Sequence, residues 1–267
     1  MKIIIPTRGR VGKLFTLRKF SEKALENTVL VVPQDEKDKH NFPNVVAVPN
    51  SVTNLTLKRK WIMENFEDEK IVQMDDDLYF NVRKDGKLGV AESEDIDEML
   101  EVIEQALDHY AHVGVSQRAN NNREIKTYRE NTRMTRVLAY NRPIFIKEVE
   151  LDRDIITCQD FEHTLQLLRK GYKNLVLYKW AQNHPGTGTA GGCSIYRSPE
   201  VQREGALKLQ RYHQQFIDLK EKHYRSAVES MQNRLEATIF WKKAFKEGEN
   251  LFGAKPDKLP SFLTTLN

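Results

Sequence analysis

Apolar residues along this chain fall into short β-branched runs, separated by segments in which they recur every three or four positions. Lys2–Pro6 is one such run, closed by a proline, and predicts a buried strand opening into a polar loop at Thr7–Gly12. Phe15–Leu25, with Leu14 just before it, carries Leu17, Phe20, Ala24 and Leu25 at amphipathic helical spacing. Thr28–Val32 and Val45–Val48 predict two more strands, each followed by proline. Ser51–Phe66, with Leu55, Leu57, Trp61, Ile62 and Phe66, predicts a helix; Lys70–Met74 predicts a fourth strand running directly into Asp75, Asp76 and Asp77. Strand, helix, strand, strand, helix, strand argues for an open α/β sheet, whose ligands gather beyond the carboxyl ends of the strands.

Further along, Ser93–His109 predicts a helix with Ile96, Met99, Leu100, Ile103 and Leu107 on one face and Ser93 or Asp95 as caps. Val113–Val115 and Arg136–Tyr140 predict strands flanking a polar loop. Phe161–Lys170 predicts a helix ended by Gly171, and Asn174–Tyr178 another strand. Gly186–Cys193 is a glycine-rich loop, and from Pro199 to about Lys246 the only glycine is Gly205, which predicts one or two long helices. No fixed-period repeat appears, which excludes a solenoid. The expected organisation is an α/β domain over residues 1–196 and a C-terminal helical extension over 197–267.

Composition narrows the class. With 39% apolar and 30% charged residues, the chain is globular rather than disordered. Its 42 Lys and Arg exceed 38 Asp and Glu by only +4, an excess that permits an anionic partner without requiring one. No apolar run approaches the roughly 18–20 residues of a membrane span, and the N-terminus lacks the pattern of a secretory leader, so a cytoplasmic location is expected. Cys158 and Cys193 are too few for a disulfide framework or a four-cysteine zinc site.

The sharpest chemical feature is Met74-Asp75-Asp76-Asp77. Three carboxylates at a strand end repel one another, and a hard divalent cation, Mn²⁺ or Mg²⁺, would relieve that repulsion while binding substrate phosphates. The plainer reading is an acidic surface turn. IIIPTRGR at the N-terminus, VVPQDE after the second strand, NLTLKRKWIM before the fourth and MDDD at its end follow the order seen in nucleotide-sugar glycosyltransferases of the A-type fold, which this chain resembles. The resemblance implies a Rossmann-like mixed sheet flanked by helices and a nucleoside-diphosphate sugar donor, of the UDP kind. It also implies a divalent metal on an Asp-x-Asp element. By position it puts Pro6, Thr7 and Arg8 at the nucleotide base, and Lys60, with Arg59 as alternate, near the nucleotide. Asp75 and Asp77 become metal ligands, with Asp76 as the alternate register on the donor side.

A second segment, QDFEHTLQLLRKGYKNLVL from Gln159, resembles the part of inverting family members that carries the general base. Asp160 falls on that aspartate, and Glu162 is its rival. Gln159 and Gln166 replace the family's glutamate and arginine. His184, just beyond a strand, matches a late histidine that returns to the metal in many such enzymes; its alternative is a polar surface residue. His109, His112 and His163 show no ligand spacing.

The stretch from Ser116 to Arg136 holds Arg118, Arg123, Lys126, Arg129, Arg133 and Arg136 against Glu124 and Glu130. Guanidinium groups suit phosphate oxygens, so this stretch is the candidate nucleic-acid contact, with a solvated loop as the alternative. The whole pattern is similar to compact glycosyltransferases that bacteriophages encode near TET-type dioxygenases, over about 200 residues. That resemblance implies a DNA acceptor carrying hydroxymethylpyrimidine and a site of action in the host cytoplasm. Transfer to a surface glycan or protein, a non-catalytic DNA-binding module and a nucleotidyltransferase are the competing expectations.

Overall fold

The computed structural model describes residues 1–184, 196, 198–223, 233–264 and 266; the glycine-rich loop expected over 186–193 lies outside them. Strands β1 (Lys2–Pro6), β2 (Thr28–Pro33), β3 (Val45–Val48) and β4 (Lys70–Met74) form where the β-branched runs predict them. Between them lie the short helix α1 (Glu22–Glu26) and α2 (Leu55–Asn65), the latter capped by the Asn54 side chain. The helix expected over Phe15–Leu25 is broken instead. Its first part is a 3₁₀ turn, Phe15–Lys19, and Ser21 then restarts the chain by accepting from the Ala24 N–H at 3.1 Å.

The middle of the chain supplies β5 (Tyr79–Lys84), β6 (Lys87–Val90), α3 (Ser93–Ala106), β7 (His112–Gln117), α4 (Arg118–Asn121), β8 (Tyr128–Glu130), β9 (Val137–Asn141), α5 (Arg142–Glu148), α6 (Gln159–Leu168) and β10 (Asn174–Asn183). The β5–β6 hairpin escapes the periodicity reading, yet Asp85-Gly86 marks it. Both residues have positive φ, as a two-residue hairpin turn requires. The sheet runs β3-β2-β1-β4-β9-β7-β10-β5-β6, with β8 added to the first half of β10. β1 to β4 are parallel, whereas β9 is antiparallel to both β4 and β7. That reversal brings the start of β9 to the carboxyl ends of β4 and β7.

Alternation sorts each strand between two helical layers. Ile3, Ile5, Leu30, Val72 and Met74 pack with α3, while Ile4, Val29, Val31 and Ile71 pack with Ile62 of α2. Beyond α6 the structure departs from the expected helical extension. It contains α7 (Pro199–Tyr212), the antiparallel hairpin β11 (Ile217–His223) with β12 (Asn233–Ile239), and α8 (Trp241–Phe252). Leu165 and Leu168 of α6 join Leu209, Phe216, Ile217, Ala244 and Phe245 in one buried cluster, so this unit rests on α6. The approach is close. A Cβ at Gly205 of α7 would overlap the Thr157 hydroxyl, so only glycine fits there.

Candidate active site

The carboxyl end of β4 carries Asp75, Asp76 and Asp77, and each carboxylate meets an arginine. The Arg59 guanidinium donates to Asp75 Oδ1 at 2.9 Å, and Arg136 Nε lies 4.0 Å from Asp75 Oδ2. Arg10 spans the other two, 3.4 Å from Asp76 Oδ1 and 3.1 Å from Asp77 Oδ2. Asp76 is buried and accepts from the Thr7 hydroxyl. Burial pushes its pKa up to about 6, against the pull of that hydrogen bond and of Arg10. Asp77 is raised for the same first reason, with Asp75 adding to it and Arg10, His184 and Arg136 opposing.

The first-strand loop is held from several sides. The Gly9 N–H donates to both Glu36 carboxylate oxygens at 2.9 and 3.0 Å, and the buried Lys58 ammonium donates to the Thr7 carbonyl at 2.7 Å. Pro6 ends β1, Thr7 reaches the acidic cluster, and Arg8 donates to the Thr53 carbonyl at 2.8 Å. Of the α2 pair, the structure brings Arg59 to the site, where it also donates to Gln159 Oε1 at 3.3 Å. Lys60 turns away to Asp152 and Glu64, which corrects its expected place at the nucleotide.

Asp160 stands in the first turn of α6 and lines a cleft of about 520 Å³ together with Arg59, Asp75, Arg133 and Arg136. Cys158 precedes the helix with φ +67° and turns the chain into it. Glu162 lies on the opposite side of α6. It is 1% exposed, with Arg153 Nη1 at 2.5 Å and His213 Nε2 at 3.1 Å, so it does not reach the cleft. Gln166, where the family pattern has arginine, donates to Glu162 and also bonds both backbone groups of Glu150.

The basic stretch does not act as one loop. α4 and β8 divide it, and β8 pairs with the far end of β10. Arg118, Arg123 and Lys126 are directed away from the cleft, and Arg129 pairs with Glu124 and lies over the Tyr178 ring. Of the six cations, Arg133 and Arg136 return to the cleft, Arg133 over Phe161 at 5.1 Å. Arg136 meets His184 Nε2 at 2.9 Å. The cleft has a further wall that the sequence reading missed: Lys222 of β11 and Arg234, Glu236 and Ala237 of β12.

The fold and this cleft define a nucleotide-sugar-dependent glycosyltransferase. The pattern of the TET-Associated Glycosyltransferase family matches residues 1–192, and the chain belongs to that family. It is 24% identical over 220 residues to the Beta-glucosyl-HMC-alpha-glucosyl-transferase of Enterobacteria phage T6, covering 74% of this chain and 76% of that one. Among solved structures, GalNAc-T7 with UDP, GalNAc and Mn²⁺ is similar in fold, with TM-score 0.51 and 12% identity over 79% of this chain and 48% of the other. A mycobacterial protein of TM-score 0.51 and 8% identity covers 89% of this chain and is itself covered over 83%. No helix among the described residues is long and apolar enough to cross a membrane.

Proposed function

We propose that this enzyme moves a sugar from a nucleoside diphosphate, of the UDP kind, to the hydroxyl of a hydroxymethylated pyrimidine in phage DNA. The observation that carries this reading is the cleft in which Asp75, Arg59 and Arg136 face Asp160. A volume of about 520 Å³ falls within the roughly 300–1,000 Å³ of small-molecule sites. The name of the phage T6 relative supports a hydroxymethylcytosine acceptor, and it favours a second form of the reading in which that base already bears a glucose.

Among the described residues, no three His, Cys, Asp or Glu side chains converge as a ready cation cage. Asp75, Asp77 and His184 nevertheless gather around one cation, the Arg136 guanidinium. Two carboxylates and an imidazole suit Mn²⁺ or Mg²⁺ when phosphate oxygens complete the shell. Those three residues would hold such a metal, which would neutralise the departing diphosphate. Pro6, Thr7 and Arg8 lie beside the base in this reading, while Arg59 orients Asp75. Asp160 takes the acceptor proton as the hydroxyl attacks the anomeric carbon, and attack from the face opposite the diphosphate inverts that centre.

The test incubates the protein with a panel of nucleotide sugars, Mn²⁺ and hydroxymethylated DNA, then digests the DNA and weighs its nucleosides. A nucleoside heavier by one sugar is the expected product. Asp160→Asn should lower turnover by about 10²–10⁴-fold with UDP affinity and Tm retained. Transfer to glycan or protein alone would overturn the acceptor, and full activity of Asp160→Asn would overturn the base.

A further inference from the structure

By sequence Arg136 groups with the basic stretch, but its surroundings belong to the acidic cluster. Its backbone has φ +65°, a left-handed conformation that a non-glycine residue adopts only when held there. It is held: its carbonyl accepts from the Asp75 N–H at 3.0 Å, and the Val137 N–H bonds the Thr135 carbonyl at 2.7 Å. The side chain then runs between Asp75 and His184, within electrostatic reach of Asp77 and Asp160. A guanidinium can only donate, so His184 Nε2 is the acceptor in their 2.9 Å contact. That lone pair is the one a metal ion would need.

We propose, resting on the donor reading above, that Arg136 is the resident cation of the Asp75–Asp77–His184 cluster and exchanges places with a divalent metal. Without donor it neutralises the carboxylates and occupies the His184 lone pair. When metal and nucleoside diphosphate bind together, the guanidinium gives up Asp75 and His184 and pairs with a diphosphate oxygen in the same cleft. A planar fork of donors suits that oxygen pair. The exchange keeps the cluster neutralised in both states and makes metal binding strong only when donor arrives with it. Arg133, over Phe161 and farther along the cleft, stays with the acceptor.

The test titrates Mn²⁺ and UDP separately by calorimetry into the full chain and into Arg136→Gln and Arg136→Gly. The glycine variant removes the guanidinium while suiting the left-handed backbone, so it guards against misfolding of the first. Both variants should bind Mn²⁺ alone at least about tenfold more tightly than the unaltered protein, because the competing cation is gone. With Mn²⁺ saturating, both should bind UDP about tenfold to a hundredfold more weakly, since one charge-assisted hydrogen bond to the diphosphate is gone. Mn²⁺ affinity that is unchanged or weaker in both variants overturns the exchange while UDP binding leaves the donor reading standing. UDP affinity unchanged in both variants overturns the diphosphate contact. Failure of the unaltered protein to bind UDP, with or without Mn²⁺, overturns the donor reading and this proposal with it.

Discussion

Replacing Glu162 by glutamine separates two roles that the sequence leaves open for that residue. Its Oε1 accepts from Arg153 at 2.5 Å and Gln166 at 3.1 Å, and its Oε2 from His213 at 3.1 Å. Arg169 Nη1 lies 3.2 Å from His213 Nδ1, which leaves the Nε2–H to point at the carboxylate. Glutamine keeps the volume, loses the charge, and turns an amide toward donors. Breaking a buried ion pair costs about 3–5 kcal/mol, but Arg153 is 22% exposed in its side chain and keeps Glu150, so about 2–4 kcal/mol is expected here. At about 2–4 °C per kcal/mol for a domain of this size, Tm should fall by roughly 5–10 °C near neutral pH.

The destabilisation should depend on pH in a defined direction. Burial opposes ionisation of Glu162, but His213 and Arg153 overcome it and hold the pKa below the ordinary carboxylate value. The folded chain therefore binds this proton less readily than the unfolded chain. The stabilisation is present in full above the unfolded value and disappears as pH falls through the lower folded one. Thermal unfolding of both proteins, followed by circular dichroism from neutral pH into acid, should show two Tm curves that converge at the acid end. Turnover measured well below Tm should change little. A stable variant whose turnover falls a hundredfold would instead give Glu162 the chemistry, and a Tm gap independent of pH would refute the ion-pair account.

Two further outcomes follow from the C-terminal unit. Gly205→Ala should cost about 1–3 kcal/mol by overpacking against Thr157, and should lower turnover because Thr157 precedes Asp160 by three residues; an unaltered Tm and rate would show that α7 yields freely. Lys222→Ala with Arg234→Ala should raise the DNA concentration for half-maximal rate and reduce the salt slope by about 0.7–0.9 for each phosphate that is no longer neutralised, leaving UDP affinity unchanged; Arg129→Ala, already paired with Glu124, is the control that should not.

Much of the first half of the fold was readable because β-branched runs and their closing prolines mark strands wherever they fall. β1, β4 and the acidic triplet appear where the pattern predicts them. The choice between Arg59 and Lys60 was also legible, though from helix phase rather than position. Arg59 lies three and four residues before the buried Ile62 and Met63 and so shares their face, while Lys60 shares the face of Glu64. The β11–β12 hairpin was masked by its many Lys and Glu residues, which suit a helix. Beneath them Ile217, Leu219, Leu235, Ala237 and Ile239 alternate at period two, and Ile217 pairs with Ile239 and Leu219 with Ala237 across the hairpin. What no pattern carried was the splitting of the basic stretch. Six cations close in sequence fall in separate places because β8 adds to β10 between them.

The division of labour in the cleft follows from how its two sides are attached. The donor side consists of strand ends and the first-strand loop, fixed by the sheet itself and lying within residues 1–192 that the family shares. The opposite wall, Lys222 and Arg234, comes from beyond that segment and reaches the cleft only because α7, the hairpin and α8 dock on α6. That docking has a polar seam: Arg153 to Glu162, Glu162 to His213, His213 to Arg169, and Arg169 to Glu247 of α8. Apolar contacts such as Leu165 with Leu209 supply adhesion without a unique register, whereas donors and acceptors in series are satisfied in one arrangement only. α6 also carries Asp160 in its first turn. The seam that sets the angle of the acceptor wall is thus built on the same helix as the candidate base, so changes to the wall can alter which acceptor is held while Asp75 and its neighbours at the donor stay as they are.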